Sequence, residues 1–218
     1  YISLAAVSLG FSSCDDYLDK LPDNRMELNS KEKVQKFLVS AYPERNAALL
    51  TEMYSDNTDA FKVTSWTSAG RFQDQAYSWD DITEVDDDET PQQLWNSFYK
   101  AMSTANTALK AIEDNGNTEE YQASKGEALL CRAFAAFQLT NTFCVAYDAT
   151  TAAKAMGIPY PMAPETKVGT KYERGTLAAC YDQMNRDIEE GLPLVTDNYA
   201  RPKYNFTRDR KSTRLNSS

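Results

Sequence analysis

Residues 90–143 limit the fold of this chain most, because they predict two long helices joined by one polar turn. Thr90 is suited to cap the first helix, and Pro91 to its first turn, where no backbone N–H is needed. Asp114, Asn115 and Gly116 are residues that end a helix. Between them, apolar residues recur every three or four positions and so share one face: Trp95, Phe98, Met102, Ala105, Leu109 and Ile112.

The second predicted helix starts near Glu119 and carries two neighbouring stripes. One stripe is bulky and contains Leu130, Phe134 and Phe137. The other is small and contains Gly126, Ala133 and Ala136. A small stripe lets another helix approach closely, and a bulky stripe fills the space beside it. The pair therefore needs further helices, which predicts an all-α fold of antiparallel helix pairs.

Composition excludes several classes of function. The 218 residues include no histidine, so neither a Ser-His-Asp triad nor a histidine-ligated metal can form. The net charge is −9 and no basic stripe is present, which argues against a nucleic-acid partner. No CxxC motif occurs among the four cysteines. On one helix Cys131 and Cys144 would lie roughly 20 Å apart, so we expect free, buried thiols there and at Cys180.

The first residues resemble the leader of a bacterial lipoprotein. An apolar run, too short to span a bilayer, ends in Ser12-Ser13-Cys14 and is followed by Asp15-Asp16. Small residues before a cysteine resemble a lipobox, and the acidic pair resembles a surface-export signal of Bacteroidota lipoproteins. We therefore expect residues 1–13 to be a removed signal peptide that lacks its basic start. Cys14 would carry the lipid, and 14–29 would form a tether.

The last ten residues do not resemble natural protein. Residues 209–218 can be encoded by a string that resembles a common sequencing-adapter oligonucleotide. We therefore expect this segment to be an artefact, so its basic residues indicate no binding patch. The natural chain is then expected to continue beyond Arg208.

Shorter helices and long loops are predicted around the central pair. Helical patterns follow Ser30, over residues 31–42, and recur over 44–54 and after Thr176. Residues 148–170 form a proline-rich loop. Residues 55–89 lose helical periodicity but are rich in Asp, Ser, Thr and aromatic residues. Such a long connection is typically functional or disordered, and its aromatic content argues against disorder.

That aromatic loop is suited to carbohydrate, because flat rings cover the apolar C–H face of a sugar while polar side chains bond its hydroxyls. The predicted ligand-binding residues are Trp66, Arg71, Phe72, Tyr77 and Trp79. Catalysis is not expected, because adjacent carboxylates in polar runs are solvated surface rather than a facing pair. The run Asp86 to Glu89 could bind Ca²⁺ but lacks EF-hand spacing, so we expect no cofactor.

Several segments resemble the SusD/RagB family, in the right order along residues 14–206. The central pair carries WxxxYxxxxxxNxxL from Trp95 and ExxxxRAxxxFxL from Glu127. A YSDN segment begins at Tyr54, and GIP at Gly157. RxTxxxxYxxxxxDI begins at Arg174. These motifs are individually weak, and their order with the lipobox carries the resemblance.

The resemblance implies a non-enzymatic, surface-exposed outer-membrane lipoprotein with a tetratricopeptide-like helical fold. Such a protein captures oligosaccharide and covers a SusC-like TonB-dependent transporter. Residues 30–208 would be an incomplete N-terminal helical domain. Structural roles are expected for the best-matched residues. Asn106 would satisfy a buried group, and Glu127 and Arg132 would pair with charges on neighbouring helices. The expected structural set is Trp95, Tyr99, Asn106, Glu127 and Arg132.

A competing interpretation is a lipid-anchored helical-repeat adaptor that binds another protein. Its helices would give the same periodicity. An adaptor has no need of exposed tryptophan in the loop over residues 61–79, and no need of a transporter. The glycan, or a peptide in its place, is not specified by these residues.

Overall fold

The computed structural model describes residues 27–59, 71–167, 169–199 and 205–207. In these ranges the helices are α1 Lys31–Leu38, α2 Ala48–Met53, α3 Arg71–Tyr77, α4 Pro91–Asp114, α5 Gln122–Phe143 and α6 Leu177–Gly191. Short 3-10 turns, Val39–Ala41 and Glu119–Tyr121, follow α1 and precede α5. No strand occurs there, only one isolated bridge between Met156 and Thr176. The all-α prediction is confirmed. The predicted signal peptide, Cys14 and residues 209–218 lie outside these ranges.

The predicted helix pair is present as α4 and α5. The hydroxyl of Thr90 accepts from the backbone N–H of Gln93, and Pro91 opens α4. At the other end Gly116 has φ +84°, a left-handed conformation that glycine adopts at no steric cost. The N–H of Asn117 donates to Ile112 and that of Gly116 to Glu113. These two bonds form a Schellman motif, which turns the chain back toward α5.

Helix α5 lies between α4 and α6 and is buried on most sides. Its small stripe allows another helix to approach closely, as the sequence predicts. A Cβ on Gly126 would lie 2.7 Å from the carbonyl oxygen of Gly191, so α6 ends directly against the backbone of α5. The bulky stripe is only partly covered. Leu130 is buried, but Phe137 is 44% exposed, because no described element lies over it.

Helix α1 fills the other side of the pair. Val34, Leu38 and Ala41 are buried against α4 and α5, where Ile112 and Cys131 complete a second apolar cluster. The hydroxyl of Ser30 caps α1 as predicted. Cys131 and Cys180 are free and buried as predicted. The prediction is wrong for Cys144, which is only half-buried because α5 ends at Phe143 and the chain leaves the core.

A buried ion pair joins α4, α5 and α6. Nε and Nη2 of Arg132 each donate to a carboxylate oxygen of Asp187 at 2.7 Å. Nη1 of Arg132 donates to Oδ1 of Asn106 at 2.9 Å. The hydroxyl of Tyr160 and the amide of Gln183 also donate to Asp187, each at 2.9 Å. Both charges are therefore bonded on several sides, as a buried pair requires. Arg132 has the charge partner on a neighbouring helix that the sequence predicts.

Among the described residues no cation pairs with Glu127, so the prediction of a charge partner on a neighbouring helix is wrong for the helices that the structure describes. Glu127 is 3% exposed, and its carboxylate accepts from the hydroxyls of Tyr42 at 2.6 Å and Tyr199 at 2.9 Å. The backbone N–H of Phe206 donates to the Tyr42 hydroxyl at 3.0 Å. The carboxylate thus links α5 to segments before and after it. Tyrosine hydroxyls replace a cation because they bond the carboxylate without adding a buried charge.

Two differences from the sequence prediction occur in the short elements. Helix α2 spans Ala48–Met53 rather than residues 44–54. Helix α3, Arg71–Tyr77, falls inside the stretch that was predicted to be irregular. Only Phe72 and Ala76 of α3 are buried, so its apolar signal consists of one i, i+4 pair.

Gly126→Ala is expected to destabilise the full chain, because its Cβ would overlap the backbone of α6. We expect a loss of roughly 1–3 kcal/mol of unfolding free energy, the usual cost of overpacking. Urea denaturation followed by circular dichroism measures it. Gly175→Ala is the control, because a Cβ there meets nothing within 4 Å. Equal stability of the two variants would contradict the close approach of α5 and α6.

Glu127→Gln is expected to remove a pH dependence of stability. Burial raises the pKa of Glu127, and bonds from Tyr42 and Tyr199 oppose this rise. Between the ordinary value near 4.5 and the raised value, the folded chain binds more protons than the unfolded chain. The Glu127 contribution to unfolding free energy therefore falls as pH rises through this window.

The measurement is urea unfolding at a series of pH values from about 4 upward, and the quantity compared is wild type minus Glu127→Gln. This difference should decrease with pH. The Tyr42→Phe variant lacks a hydrogen bond that lowers the pKa of Glu127. In that variant the unfolding free energy should therefore continue to fall up to a higher pH. A difference that stays constant with pH would show that the pKa of Glu127 is the same in the folded and unfolded chains, which would contradict the raised pKa.

Candidate functional site

Trp79 is the most exposed aromatic side chain in the described part of the chain, at 75%. It follows α3, and its backbone has φ +58°. This left-handed conformation costs a residue with a Cβ roughly 1–2 kcal/mol. A large apolar ring is thus exposed to solvent, and the backbone that carries it is strained. Strain of this kind persists where the surrounding structure holds it, and it is concentrated at functional positions.

The strain comes from the way α3 ends. The N–H of Asp80 donates to Gln75 at 2.8 Å, and the N–H of Trp79 donates to Ala76 at 3.1 Å. This is the same Schellman pattern that ends α4. There the left-handed position is occupied by Gly116, the residue type that this position favours. In α3 the position is occupied by tryptophan, which directs the indole away from the core.

Among the described residues the Trp79 ring has an aromatic neighbour that the sequence does not reveal. The ring of Tyr54, at the end of α2, lies 5.1 Å away at an interplanar angle of 63°. Such an edge-to-face pair fixes the orientation of both rings. Tyr54 and Tyr77 are themselves 37% and 38% exposed. Tyr54, Tyr77 and Trp79 are called the aromatic patch below.

Polar groups surround the aromatic patch. Ser78, Asp80 and Asp81 are exposed beside Trp79. The amide of Gln75 bonds both the hydroxyl and the backbone N–H of Thr83, at 3.0 and 3.1 Å. The segment after Trp79 is therefore attached to α3. Exposed rings beside hydroxyl and carboxylate groups can bind the two kinds of surface that a sugar presents.

The structure does not give the five predicted ligand residues one common environment. Tyr77 and Trp79 are exposed and adjacent. Phe72 is a correction: it is 1% exposed and packs in the core with Leu94 and Phe98, so it anchors α3 and cannot meet a ligand. Arg71 opens α3, but its side chain lies outside what the structure describes, as does Trp66. For these two the prediction stands untested.

The predicted structural residues Trp95 and Tyr99 line a recess of about 340 Å³ between α4 and the loop after α5. Their ring centres are 4.9 Å apart. The hydroxyl of Tyr99 donates to the carbonyl of Pro159, and the amide of Asn106 donates to that of Pro161, both at 2.8 Å. Burial raises the pKa of Tyr99, so its hydroxyl stays protonated. These bonds hold the proline-rich loop on α4.

No group of three or more His, Cys, Asp or Glu side chains in the described ranges is placed to hold a metal ion. The acidic run Asp86 to Glu89 falls within those ranges and is mostly exposed. Nor do the described helices include one that combines the length and apolar character of a membrane span.

Comparison with known proteins then gives the family. Residues 16–211 match the SusD-like family that is described as starch-binding and associating with the outer membrane. The chain belongs to this SusD-like family. No curated protein matches the sequence.

Solved SusD structures share the fold of this SusD-like chain. A SusD superfamily protein from Bacteroides thetaiotaomicron matches with TM-score 0.57 and 21% identity, over 77% of this chain and 38% of its own. A SusD-like carbohydrate binding protein from Bacteroides vulgatus matches with TM-score 0.53 and 20% identity, over 80% of this chain and 37% of its own. A further SusD superfamily protein from Bacteroides vulgatus matches with TM-score 0.56 and 18% identity, covering 78% and 38%.

This SusD-like chain therefore spans about two fifths of the length of the solved structures it matches. At these identities the likeness shows the fold alone. It confirms the predicted helical architecture, whereas the match over residues 16–211 confirms the predicted family.

Replacing Trp79 by Gly and by Ala should distinguish the effect of backbone strain on stability from the effect of losing the ring contacts. Both variants lose the indole and its contact with Tyr54, but only Ala keeps a Cβ at a left-handed position. Trp79→Gly should therefore be more stable than Trp79→Ala by about 1 kcal/mol. Urea denaturation of the full chain measures the difference.

Gly116→Ala is the matched control at the other Schellman motif. It places a Cβ in the same conformation, with only an ordinary contact to Thr118 at 3.9 Å. It should lose about 1 kcal/mol relative to wild type for the same reason. If Trp79→Ala were as stable as Trp79→Gly while Gly116→Ala lost stability, Trp79 would not be strained in solution.

Proposed function

We propose that this chain is part of a surface lipoprotein that binds oligosaccharide and delivers it to a SusC-like TonB-dependent transporter, without catalysing a reaction. Membership of a starch-binding family associated with the outer membrane supports the ligand class and the location. The observation that carries the proposal is Trp79, an exposed indole on a strained backbone. Because the ring is 75% exposed, packing in the core does not explain that placement.

The aromatic patch is the proposed contact for the sugar. An indole face covers the axial C–H groups of a pyranose ring, and the stabilisation comes from removing both surfaces from water. Tyr54 orients Trp79 from behind, at 5.1 Å. The hydroxyl of Tyr54 and the carboxylates of Asp80 and Asp81 are available to bond sugar hydroxyls. Tyr54 is therefore added to the proposed sugar-binding residues.

Trp66 and Arg71 complete the proposed ligand contacts. Arg71 begins the helix that ends at the aromatic patch, and Trp66 lies five residues earlier in the chain. A guanidinium is a planar donor that can bond two neighbouring sugar hydroxyls at once. Both residues keep the role that the sequence predicts for them.

The positions of the acidic groups in the described residues support binding without catalysis. Glycoside hydrolysis needs one carboxyl with a raised pKa opposite a second carboxyl across the sugar. Burial raises the pKa of Glu127, but this side chain is enclosed by Tyr42 and Tyr199 and is closed to a ligand. Asp80 and Asp81 beside the aromatic patch are exposed neighbours on one loop, which suits hydrogen bonding to hydroxyls.

Delivery requires that the protein stay beside the transporter. Lipidation at Cys14 would hold the chain at the outer membrane, and residues 14–29 would tether it. Tethering converts the encounter with the transporter into an intramolecular step and raises its effective concentration. The lid role over a SusC-like transporter is part of this proposal.

Trp79→Ala and Trp79→Gly are both expected to abolish retention of the full chain on gels cast with soluble starch. Both remove the ring, while their stabilities should differ. Loss of binding in both variants, despite their different stabilities, would therefore follow the missing ring rather than the stability, provided that urea denaturation shows the Gly variant to be folded under the gel conditions. Trp66→Ala should reduce retention as well. Affinity electrophoresis against a gel without glycan provides the measurement.

Phe137→Ala is the control, because Phe137 is also an exposed aromatic residue but lies on α5, away from the aromatic patch. It should be retained like wild type. Unchanged retention of both Trp79 variants would reject the aromatic patch as the sugar contact. The adaptor interpretation would then be favoured if the wild type also failed to bind any polysaccharide tested.

A further inference from the structure

A groove of about 580 Å³ lies where α5 ends and the chain turns toward α6. None of the residues that line this groove belongs to the aromatic patch. Its walls combine apolar, polar and basic side chains, among them Cys144, Val145, Thr151, Lys154, Met156 and Arg174.

The charged residues that line this groove are both basic, namely Lys154 and Arg174. This contrasts with the net charge of −9 for the chain. Neither cation has a carboxylate within ion-pair distance among the described residues, whereas Arg45, Lys100, Lys110, Lys125 and Arg132 each have one. Two basic side chains without an acidic partner thus share one concave surface.

Arg174 is held in a fixed orientation. Its Nε donates to the carbonyl of Gly157 at 2.6 Å, and Nη2 lies 4.0 Å from the sulfur of Cys144. A guanidinium has five N–H donors, so most of its donors remain for a ligand. Burial raises the pKa of Cys144, which keeps the thiol uncharged next to the guanidinium. The positive charge of Arg174 is therefore not neutralised from that side.

The wall that carries Arg174 is rigidly attached to α6. Met156 and Thr176 form the isolated bridge, and the N–H of Gly157 donates to Gly175 at 2.8 Å. A Cβ on Gly157 would lie 2.5 Å from the sulfur of Cys180, so the backbone is packed without spare room. A site that is already ordered loses little entropy when it binds.

Two acidic residues are near the groove in sequence. Glu173 precedes Arg174 but does not line the groove, and Asp148 is bonded within its own turn. Its carboxylate accepts from the backbone N–H of Thr150 at 2.7 Å and from the hydroxyl of the same residue. It is absent from the groove lining. Val145 and Met156 are 65% and 60% exposed at the groove and offer apolar surface next to the cations.

We propose that this groove binds the carboxylate of an acidic sugar residue, with Arg174 and Lys154 as its two cationic contacts. The guanidinium fork bonds both carboxylate oxygens, and the ammonium adds a second charge-assisted bond. Val145 and Met156 lie against the C–H face of the ring. The choice of a sugar rests on the proposed function. The choice of an anion rests on the two cations that share the groove and have no carboxylate partner among the described residues.

The test compares a trimer of galacturonic acid with its fully methyl-esterified form, which keeps the sugar and removes the charge. Isothermal titration of the full chain should show binding of the acid and at least tenfold weaker binding of the ester. Lys154→Gln should weaken binding of the acid roughly tenfold, the size expected for one charge-assisted bond. Lys36→Gln removes an equal charge from α1 and should leave the affinity unchanged.

Cys144 gives a second readout that needs no glycan affinity. Iodoacetate and iodoacetamide differ in charge, and a cationic groove should raise the alkylation rate of Cys144 by the anionic reagent relative to the neutral one. Mass spectrometry of the peptide that contains Cys144 measures the ratio. Lys154→Gln should lower it several-fold, and Lys36→Gln should not.

Equal binding of acid and ester, or a reagent ratio that is the same in Lys154→Gln and wild type, would overturn the anionic-sugar assignment. The proposed function would be unaffected, since retention on neutral starch through Trp79 tests it separately. If starch retention failed while the acid bound through Lys154, the groove would stand and the aromatic patch would be rejected.

Discussion

The buried pair of Arg132 and Asp187 is the interaction on which the rest of the structure depends. It links α5 to α6, and Asn106 brings α4 into the same network. Through Asn106 and Tyr160 it also fixes the proline-rich loop. Removing one partner from such a network leaves an uncompensated buried charge, at a cost of about 3–5 kcal/mol. The three longest helices therefore have one arrangement in which both charges are satisfied.

This rigid frame allows strain in the shorter elements around it. Phe72 and Ala76 anchor α3 in the core, so the backbone that follows can hold Trp79 in a left-handed conformation. The Schellman bonds and the Tyr54 ring fix the same geometry from two sides. Both candidate ligand surfaces lie at ends of helices. The aromatic patch lies where α2 and α3 end, and the basic groove lies where α5 ends.

Sequence prediction succeeds for features that are set within one helix and fails for features that are set by contacts between elements far apart in the chain. The pattern from Trp95 to Ile112 predicts α4 because every element of that signal lies within one helix. Helix α3 escapes prediction because seven residues with one buried i, i+4 pair give no period. Phe72 and Trp79 look alike as loop aromatics, yet one is core and the other is surface. Their difference is decided by where α3 lies against α4, which composition does not encode.

The sequence by itself determined the helix pair, its small and bulky stripes, the caps at Ser30, Thr90 and Thr176, and the family. These properties depend on local periodicity and on residue order. Only the tertiary structure decided that Glu127 is bonded by tyrosines and that Tyr54 supports Trp79. It also decided that Lys154 and Arg174 share a groove, where no described acidic residue pairs with them. Such pairings join residues far apart in the chain. They form only because packing of the helices brings those residues together, and no local pattern records them.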